Sequence, residues 1–399
     1  MNSFRCFACD RTQPADFTGW TCPSCGGNLD VVNDRETILQ QIRQSPFDST
    51  RIPLEIGNTP LYAAPRLGHS IGLRNLYLKD DTVSPSASSK DRASAAVVLQ
   101  ALQAGADIVS VASTGNAGSS LACVAAAAGI KAVVIVPESA PVAKLTQALS
   151  FGATVLAVRG TYDDAFDLCL KASTQFGWYN RSTGINPYTR EGKKICAWEI
   201  WASLDGRVPD RIVVPTGDGN LLSGMWKGWR ELQAVGLIDR LPRIDCAQSE
   251  GSAAITHAVH GIRSDGEPDW ATIKVKPVDA NTLADSISVN LPRDGLAAVR
   301  AIIESDGIAV TVPDSEILAA IPEMATTTGV FPEPAAATPW AAVKRMVAAK
   351  NISPDELVVC LVSGSGLKDV ARAQEAANRP RVIEPTLTAL EAELAELEA

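Results

Sequence analysis

Residues 84–92 read Ser84-Pro85-Ser86-Ala87-Ser88-Ser89-Lys90-Asp91-Arg92 and follow the strand-like run Asn75-Leu76-Tyr77-Leu78-Lys79. From Ala93 to Leu102 the chain is rich in alanine and free of proline and glycine. This predicts a helix capped by Ser88 or Ser89, with Lys90 and Asp91 in its first turn. A cation is misplaced at the positive end of a helix dipole. That placement lowers a lysine pKa, which suits an amine that must be neutral to attack a carbonyl. Read alone, the same lysine is an ordinary residue of a polar loop.

Three further stretches change the reading. Ala112-Ser113-Thr114-Gly115-Asn116-Ala117-Gly118 follows Ile108–Val111, Pro215-Thr216-Gly217-Asp218-Gly219-Asn220 follows Arg211–Val214, and Ser363-Gly364-Ser365-Gly366-Leu367-Lys368-Asp369 follows Leu357–Val362. Each is a strand, mostly β-branched, that empties into a turn of small residues. In this order the set resembles the tryptophan-synthase-β-like, fold type II, family of pyridoxal phosphate enzymes, and within it the threonine synthases. The resemblance spans nearly the whole chain. It extends to Gly57-Asn58-Thr59-Pro60-Leu61, Asn186-Pro187-Tyr188 with Glu191-Gly192-Lys193-Lys194, Ala247–Gly251 and Gly329-Val330-Phe331-Pro332-Glu333-Pro334-Ala335.

The resemblance implies a site. Lys90 would bond the cofactor aldehyde and afterwards move substrate protons. Gly217, Asp218, Gly219, Asn220 and Leu221 would wrap the cofactor phosphate with backbone amides at a helix N-terminus, with the Asp218 carboxylate turned away. Asn116 would face the ring hydroxyl and Ser363 the ring nitrogen, where a hydroxyl does not favour a protonated ring. The turn Ser113, Thr114, Gly115 and Asn116 would hold the substrate carboxylate. The implied reaction of this lyase is γ-elimination of phosphate from O-phospho-L-homoserine, then addition of water to give L-threonine. Candidates for the substrate phosphate are Arg190, Lys193, Lys194 and Asn220 with Ser113 or Thr114. The familiar pattern NPxRxEGxKT is altered here to Thr189 at its arginine and Ile195 at its threonine. The lysine loop reads Ser-Ala-Ser-Ser-Lys where Thr-Gly-Ser-Phe-Lys is commoner. Alternatives within the same chemistry are β-replacement or β-elimination on a serine-like substrate, as in cysteate synthase or a dehydratase. A non-catalytic regulatory homologue is the alternative outside it.

At 399 residues and 46% hydrophobic content the chain has enough material for more than one core. A net charge of −9 excludes a general nucleic-acid surface and favours a small-molecule substrate, here an amino-acid phosphate. No apolar run is long enough to span a membrane, and the N-terminus lacks a secretory pattern, so a cytoplasmic protein is expected. Only His69, His257 and His260 are present, none in a hydrolase signature, and GxGxxG is missing from the first βα turn. Of nine cysteines, Cys6, Cys9, Cys22 and Cys25 form C-x2-C-x12-C-x2-C, the spacing of a structural zinc site.

The expected organisation is α/β with two open twisted parallel-sheet domains. Residues 1–33 form the zinc-ribbon-like segment. Residues 34–92 and 188–380 form the large cofactor-binding domain, 93–187 a small inserted domain, and 381–399 a helical tail. A short helix should stop before Pro46, and helices are expected at Pro141–Ser150, Leu296–Ser305, Asp314–Thr326 and Pro339–Lys350, with an irregular stretch from Gly261 to Pro277. In the tail Leu387, Leu390, Leu394 and Leu397 recur at helical spacing, as in a solvated or an oligomer-packing helix. The resemblance implies a homodimer that closes on substrate.

Overall fold

The computed structural model describes residues 3–44, 47–140, 142–265, 268–377 and 379–397. Pro46 and Pro141, expected at a helix stop and a helix start, lie outside the described residues, as do the two residues at each end. Strands β1 (Ser3–Cys6), β2 (Thr12–Pro14) and β3 (Leu29–Val32) make an antiparallel ribbon in the order β2-β1-β3. Phe4, Cys6, Cys22, Leu29 and Val31 form its small core, against which Phe17 and Tyr188 pack. So little buried surface does not hold a ribbon together without a staple.

There follow α1 (Arg35–Arg43), β4 (Leu61–Ala63), α2 (Pro65–His69), β5 (Asn75–Asp80) and α3 (Lys90–Gln103). Next β6 (Ile108–Ala112), α4 (Asn116–Ala128), β7 (Lys131–Pro137), α5 (Val142–Ser150), β8 (Thr154–Val158), α6 (Tyr162–Phe176) and β9 (Tyr179–Asn180) make a four-stranded parallel sheet in the order β8-β7-β6-β9. The chain continues through α7 (Tyr188–Ser203), β10 (Arg211–Pro215), α8 (Asn220–Ala234), β11 (Arg243–Ser249), α9 (Ala254–Asp265), α10 (Gly295–Glu304), β12 (Ala309–Val312), α11 (Asp314–Thr328), α12 (Pro334–Ala348), β13 (Leu357–Val362), α13 (Val370–Ala376) and α14 (Leu387–Leu397). The larger sheet runs β12-β11-β10-β13-β5-β4, parallel except for the edge strand β4. Its inner strands are apolar runs such as Ile212–Val214 and Val358–Val362, as expected of strands covered on both faces.

Three expectations are corrected. Gly261 lies inside α9, which continues to Asp265, because its neighbours keep helical spacing and one glycine costs a helix only about 1 kcal/mol. Helix α12 begins at Pro334, which takes the first position where a missing N–H is harmless, and it runs on through Pro339. Neither Ser88 nor Ser89 caps α3: Ser89 at its N-cap has helical dihedrals, and both hydroxyls are buried without a partner. In α14 the side chains of Leu387, Leu390 and Leu394 are exposed.

The two sheets share one apolar cluster, which runs from Val109 and Val134 through Trp198 to Ile212 and Trp229. Its middle layer is α7, pressed between α3 and α8 by glycines. A β-carbon on Gly192 would stand 1.9 Å from the carbonyl oxygen of Arg92, and one on Gly228 would stand 2.3 Å from that of Lys194. Arg92, fully buried, ties the same layer to the sheet through Asp81 (2.8 Å) and Glu199 (2.6 Å). Lys90 and Lys193 thus sit on helices whose spacing cannot relax. Gly192→Ala is expected to lower the unfolding free energy by roughly 2–3 kcal/mol, the overpacking cost exceeding the gain in helix propensity. A urea titration showing no loss would mean that α3 and α7 stand further apart.

Candidate active site

The carboxyl ends of β5, β10 and β13 face the carboxyl end of β6 across a cleft of about 1150 Å³. In open parallel sheets this is where ligands bind, because the turns there start helices with unpaired amides. Lys90, Ser113, Thr114, Gly115, Asn116, Gly217, Asp218, Gly219, Asn220, Leu221, Ser363 and Lys193 all line the cleft. Arg190 and Lys194 do not. Arg190 is turned into an ion pair with Asp294 (2.6 Å), and Lys194 into one with Glu191 (2.8 Å) and Glu231 (2.9 Å). The expectation that these two bind substrate is therefore corrected: each is already neutralised outside the cleft.

Two turns pin the lysine loop. The Ser89 amide donates to the Ser363 carbonyl (2.8 Å), and the Ser365 amide donates to that of Ala87 (3.0 Å). The Asp91 carboxylate accepts from the Ser86 amide (2.7 Å). Ala87, where a glycine is commoner, has φ +63°, a left-handed conformation that costs a residue with a side chain roughly 1–2 kcal/mol. Burial pushes the Lys90 amine below the ordinary lysine value; Glu333 opposes this and Arg181 adds to it.

The residues present fit a phosphorylated aldehyde. Gly217 has no room for a side chain, since a β-carbon would meet Ile287 at 2.9 Å. Gly219 has φ +88° and caps α8 without any side chain across its first amides, which leaves them open to an anion. Gly115 caps α4 in the same open way. The Asp218 carboxylate accepts from the Arg293 amide (3.2 Å), and burial pushes it above the usual range. Buried polar atoms without a partner among the described residues surround Lys90: the hydroxyls of Ser88 and Ser89, and Nη2 of Arg181.

Three functional side chains, Glu333, Arg181 and Asp294, escaped the sequence reading, whereas Lys193 was among its candidates. The Glu333 carboxylate accepts from Asn116 Nδ2 (2.9 and 3.1 Å), which also donates to Ser286 Oγ (3.1 Å). Burial raises Glu333, although Lys90 and Asn116 pull the other way. A glutamate between two prolines at a helix N-cap was the available signal, for its carboxylate makes no bond to the helix's own amides. Arg181, fully buried, lines the cleft and donates only to hydroxyls, Thr183 at 2.9 Å and Ser94 at 3.3 Å. Burial lowers its guanidinium to about 10. Lys193 Nζ donates to Asn220 Oδ1 (2.7 Å), and burial, with Lys90 and Arg181 nearby, holds it well below an ordinary lysine. Neither Arg181 nor Lys193 has a carboxylate within ion-pair distance among the described residues. The third missed residue, Asp294, accepts from Asn220 Nδ2 (2.9 Å) and Ser223 Oγ (2.7 Å) beneath the cleft.

The four ribbon cysteines hold their sulfurs within 4.8 Å of one another, with Sγ–Sγ separations of 3.4, 3.5 and 3.7 Å. Thiolates about 2.3 Å from a tetrahedral ion stand roughly 3.8 Å apart, whereas a disulfide requires about 2.05 Å. Burial works against a Cys22 thiolate, but the amides of Ser24 and Cys25 bring it down to about 6. The donor set fits a closed structural metal site.

A family profile described as pyridoxal-phosphate dependent enzyme matches residues 52–364. The threonine synthase of Methanosarcina acetivorans is 35% identical over 405 residues, covering 98% of each chain. That of Methanocaldococcus jannaschii is 34% identical over 412 residues, covering 98% of this chain and 99% of its own. Among solved structures, threonine deaminase isoform 2 of Solanum lycopersicum superposes with a TM-score of 0.70 at 20% identity, covering 87% of this chain and 90% of that one.

A lysine whose folded pKa is depressed binds fewer protons than in the unfolded chain. Stability therefore rises with pH from that folded value to the unfolded one of about 10.4. In the ligand-free protein Lys193→Met should be more stable than the parent at neutral pH, by a margin that shrinks as the pH approaches about 10. A margin independent of pH in paired denaturation curves would place Lys193 in contact with a counter-ion.

Proposed function

The chain belongs to the fold type II pyridoxal-phosphate dependent enzymes and, within them, to the threonine synthase family; from that premise we propose that it converts O-phospho-L-homoserine and water into L-threonine and phosphate. The observation that carries this reading is the pair Arg181 and Lys193, buried in the cleft without a counter-ion. Burying a cationic group unpaired is costly, through the charge itself or the proton it gives up, so two such groups mark where a ligand brings negative charge. A glycine cradle already serves one phosphate. A serine-like substrate has no use for the additional cations, whereas a γ-phosphate does. Thr189 cannot supply the cation found there in relatives, and its hydroxyl is bonded to the Asn186 carbonyl (2.7 Å). Arg181 is the replacement.

When bound, pyridoxal phosphate supplies an electron sink for charge that develops on the substrate carbons. Lys90, its amine pushed below the ordinary lysine value by burial, would hold the cofactor aldehyde and, when free, would take and return substrate protons. The amides of Ser113, Thr114, Gly115 and Asn116 hold the substrate carboxylate at the open end of α4. Glu333 and Ser286 accept from the Asn116 amide nitrogen and so set the orientation of a side chain that would lie beside the ring hydroxyl. The Ser363 hydroxyl, on the cleft wall, would meet the ring nitrogen without adding charge. Arg181 and Lys193 bind the γ-phosphate and stabilise the negative charge as its C–O bond breaks. Because burial depresses Lys193, phosphate binding draws a proton onto it. The reading includes zinc in the ribbon, from the cysteine spacing, and a cytoplasmic homodimer, the dimer from the family resemblance.

Purified enzyme should be given O-phosphohomoserine, O-phosphoserine, threonine and serine in turn, with phosphate, threonine and 2-oxo acid followed separately. Equal amounts of phosphate and threonine are expected from O-phosphohomoserine alone. Release of 2-oxo acid from serine or threonine without any such product would replace this reaction with β-elimination. Lys90→Ala should lose turnover and the cofactor's visible absorbance while staying folded. Arg181→Gln is expected to cut kcat/KM for the phosphorylated substrate roughly 10- to 100-fold, the worth of a hydrogen bond to a charged group.

A further inference from the structure

Arg190 makes no contact with the cleft, yet it occupies the junction between the ribbon and the phosphate cradle. Its Nη1 donates to Asp30 (3.0 Å) and to the Leu29 carbonyl (3.2 Å), both on ribbon strand β3. Its guanidinium carbon stands 4.3 Å from the ring centre of Phe7, which lies between the ligand cysteines Cys6 and Cys9. On the other side Nη2 donates to Asp294 Oδ1 (2.6 Å) and Nε to Ser223 Oγ (3.1 Å). Half of the shell around this arginine is therefore ribbon.

Asp294 passes the constraint on. It is fully buried, and although burial opposes ionisation, Arg190 holds its carboxyl below the usual range. An ionised carboxylate only accepts, so the Asn220 amide must present its nitrogen to Asp294 Oδ2 (2.9 Å) and its oxygen to Lys193 Nζ (2.7 Å). A protonated Asp294 could donate to the flipped amide's oxygen, and the amide N–H would then face Lys193 Nζ, which can accept it only as a neutral amine. A second line runs parallel. Ribbon residue Asn28 donates to the Arg293 carbonyl (2.6 Å) and to Asp294 Oδ1 (3.2 Å), and the amide of Asp294 in turn donates to the Asp218 carbonyl (3.0 Å). Both lines end on the turn 217–220.

We propose that the cysteine ribbon is a working part of the cofactor-phosphate site, with Arg190 as the positioning residue through which it sets Asn220 and Lys193. This rests on the reading that residues 217–221 cradle the cofactor phosphate. Stapling Cys6, Cys9, Cys22 and Cys25 to one ion fixes Phe7, Asn28 and Asp30 against Arg190 and the 293–294 turn. Loss of the metal frees them.

The test compares pyridoxal phosphate with pyridoxal, which has the same aldehyde for Lys90 but no phosphate, by visible absorbance titration of the full-length protein. In Asp30→Asn and Asn28→Ala the dissociation constant for pyridoxal phosphate should rise roughly 5- to 50-fold, a usual range for coupled sites, while that for pyridoxal stays unchanged. Arg190→Gln should show the same selective loss, and Arg190→Lys should recover part of it. Stripping the metal with a zinc chelator should reproduce the effect. Equal weakening of both ligands would reduce the ribbon to a general stabiliser of the fold and overturn the proposal, as would no change in either. If the parent protein itself fails to prefer pyridoxal phosphate to pyridoxal, the cradle reading fails first.

Discussion

Cationic side chains buried without a carboxylate partner among the described residues are the constraint around which the site is built. Lys90, Lys193 and the Arg181 guanidinium face one cleft, and the carboxylates that act on them most, Glu333, Asp218 and Asp91, are themselves pushed toward protonation by burial. Such an arrangement costs folding energy that an apolar lining would not. It survives because the rest of the molecule cannot rearrange to quench it. Glycine contacts lock α7 against α3 and α8, so Lys193 cannot swing to the carboxylates that hold Lys194 on the neighbouring position. The anions that relieve the cost are the ligands themselves, which is how a stability cost becomes binding energy.

The carboxylates are segregated with equal care. Asp81 and Glu199 pair with Arg92 on the helix that begins at Lys90, Glu191 and Glu231 with Lys194 and Lys227, and Asp294 with Arg190. Each of these pairs lies one layer behind the cleft wall. They hold the helices that carry the reactive side chains without offering those side chains a competing partner. The ribbon belongs to this supporting layer. Its three short strands contribute little to the apolar core, but β3 reaches Arg190 behind the turn 217–220.

Much of the site was legible because it is local. Lys90 and the turns at 113–116, 217–221 and 363–366 each follow a strand with small residues whose backbone must come close to a ligand. Cys6, Cys9, Cys22 and Cys25 announce themselves by spacing. The cation set was legible only in part. Residues 190, 193 and 194 lie within two turns of one helix, where successive side chains are about 100° apart, and the sequence does not say which direction is the cleft. Arg181 had no motif at all. It follows the two-residue strand β9, which no periodicity marks, and its importance comes from its lacking a carboxylate.

The helix boundaries show the same division. Pro339 reads as a start because a proline interrupts the hydrogen-bond ladder, yet the preceding Pro334 takes the harmless first position and packing carries the helix through the second. The amino-acid sequence by itself determined which residues could do chemistry, because amines, thiols and glycine turns carry their properties wherever they are placed. Tertiary structure alone decided which cations were left unpaired and which were neutralised, since ion pairing depends on distances between segments far apart in the chain, such as the 104 positions separating Arg190 from Asp294.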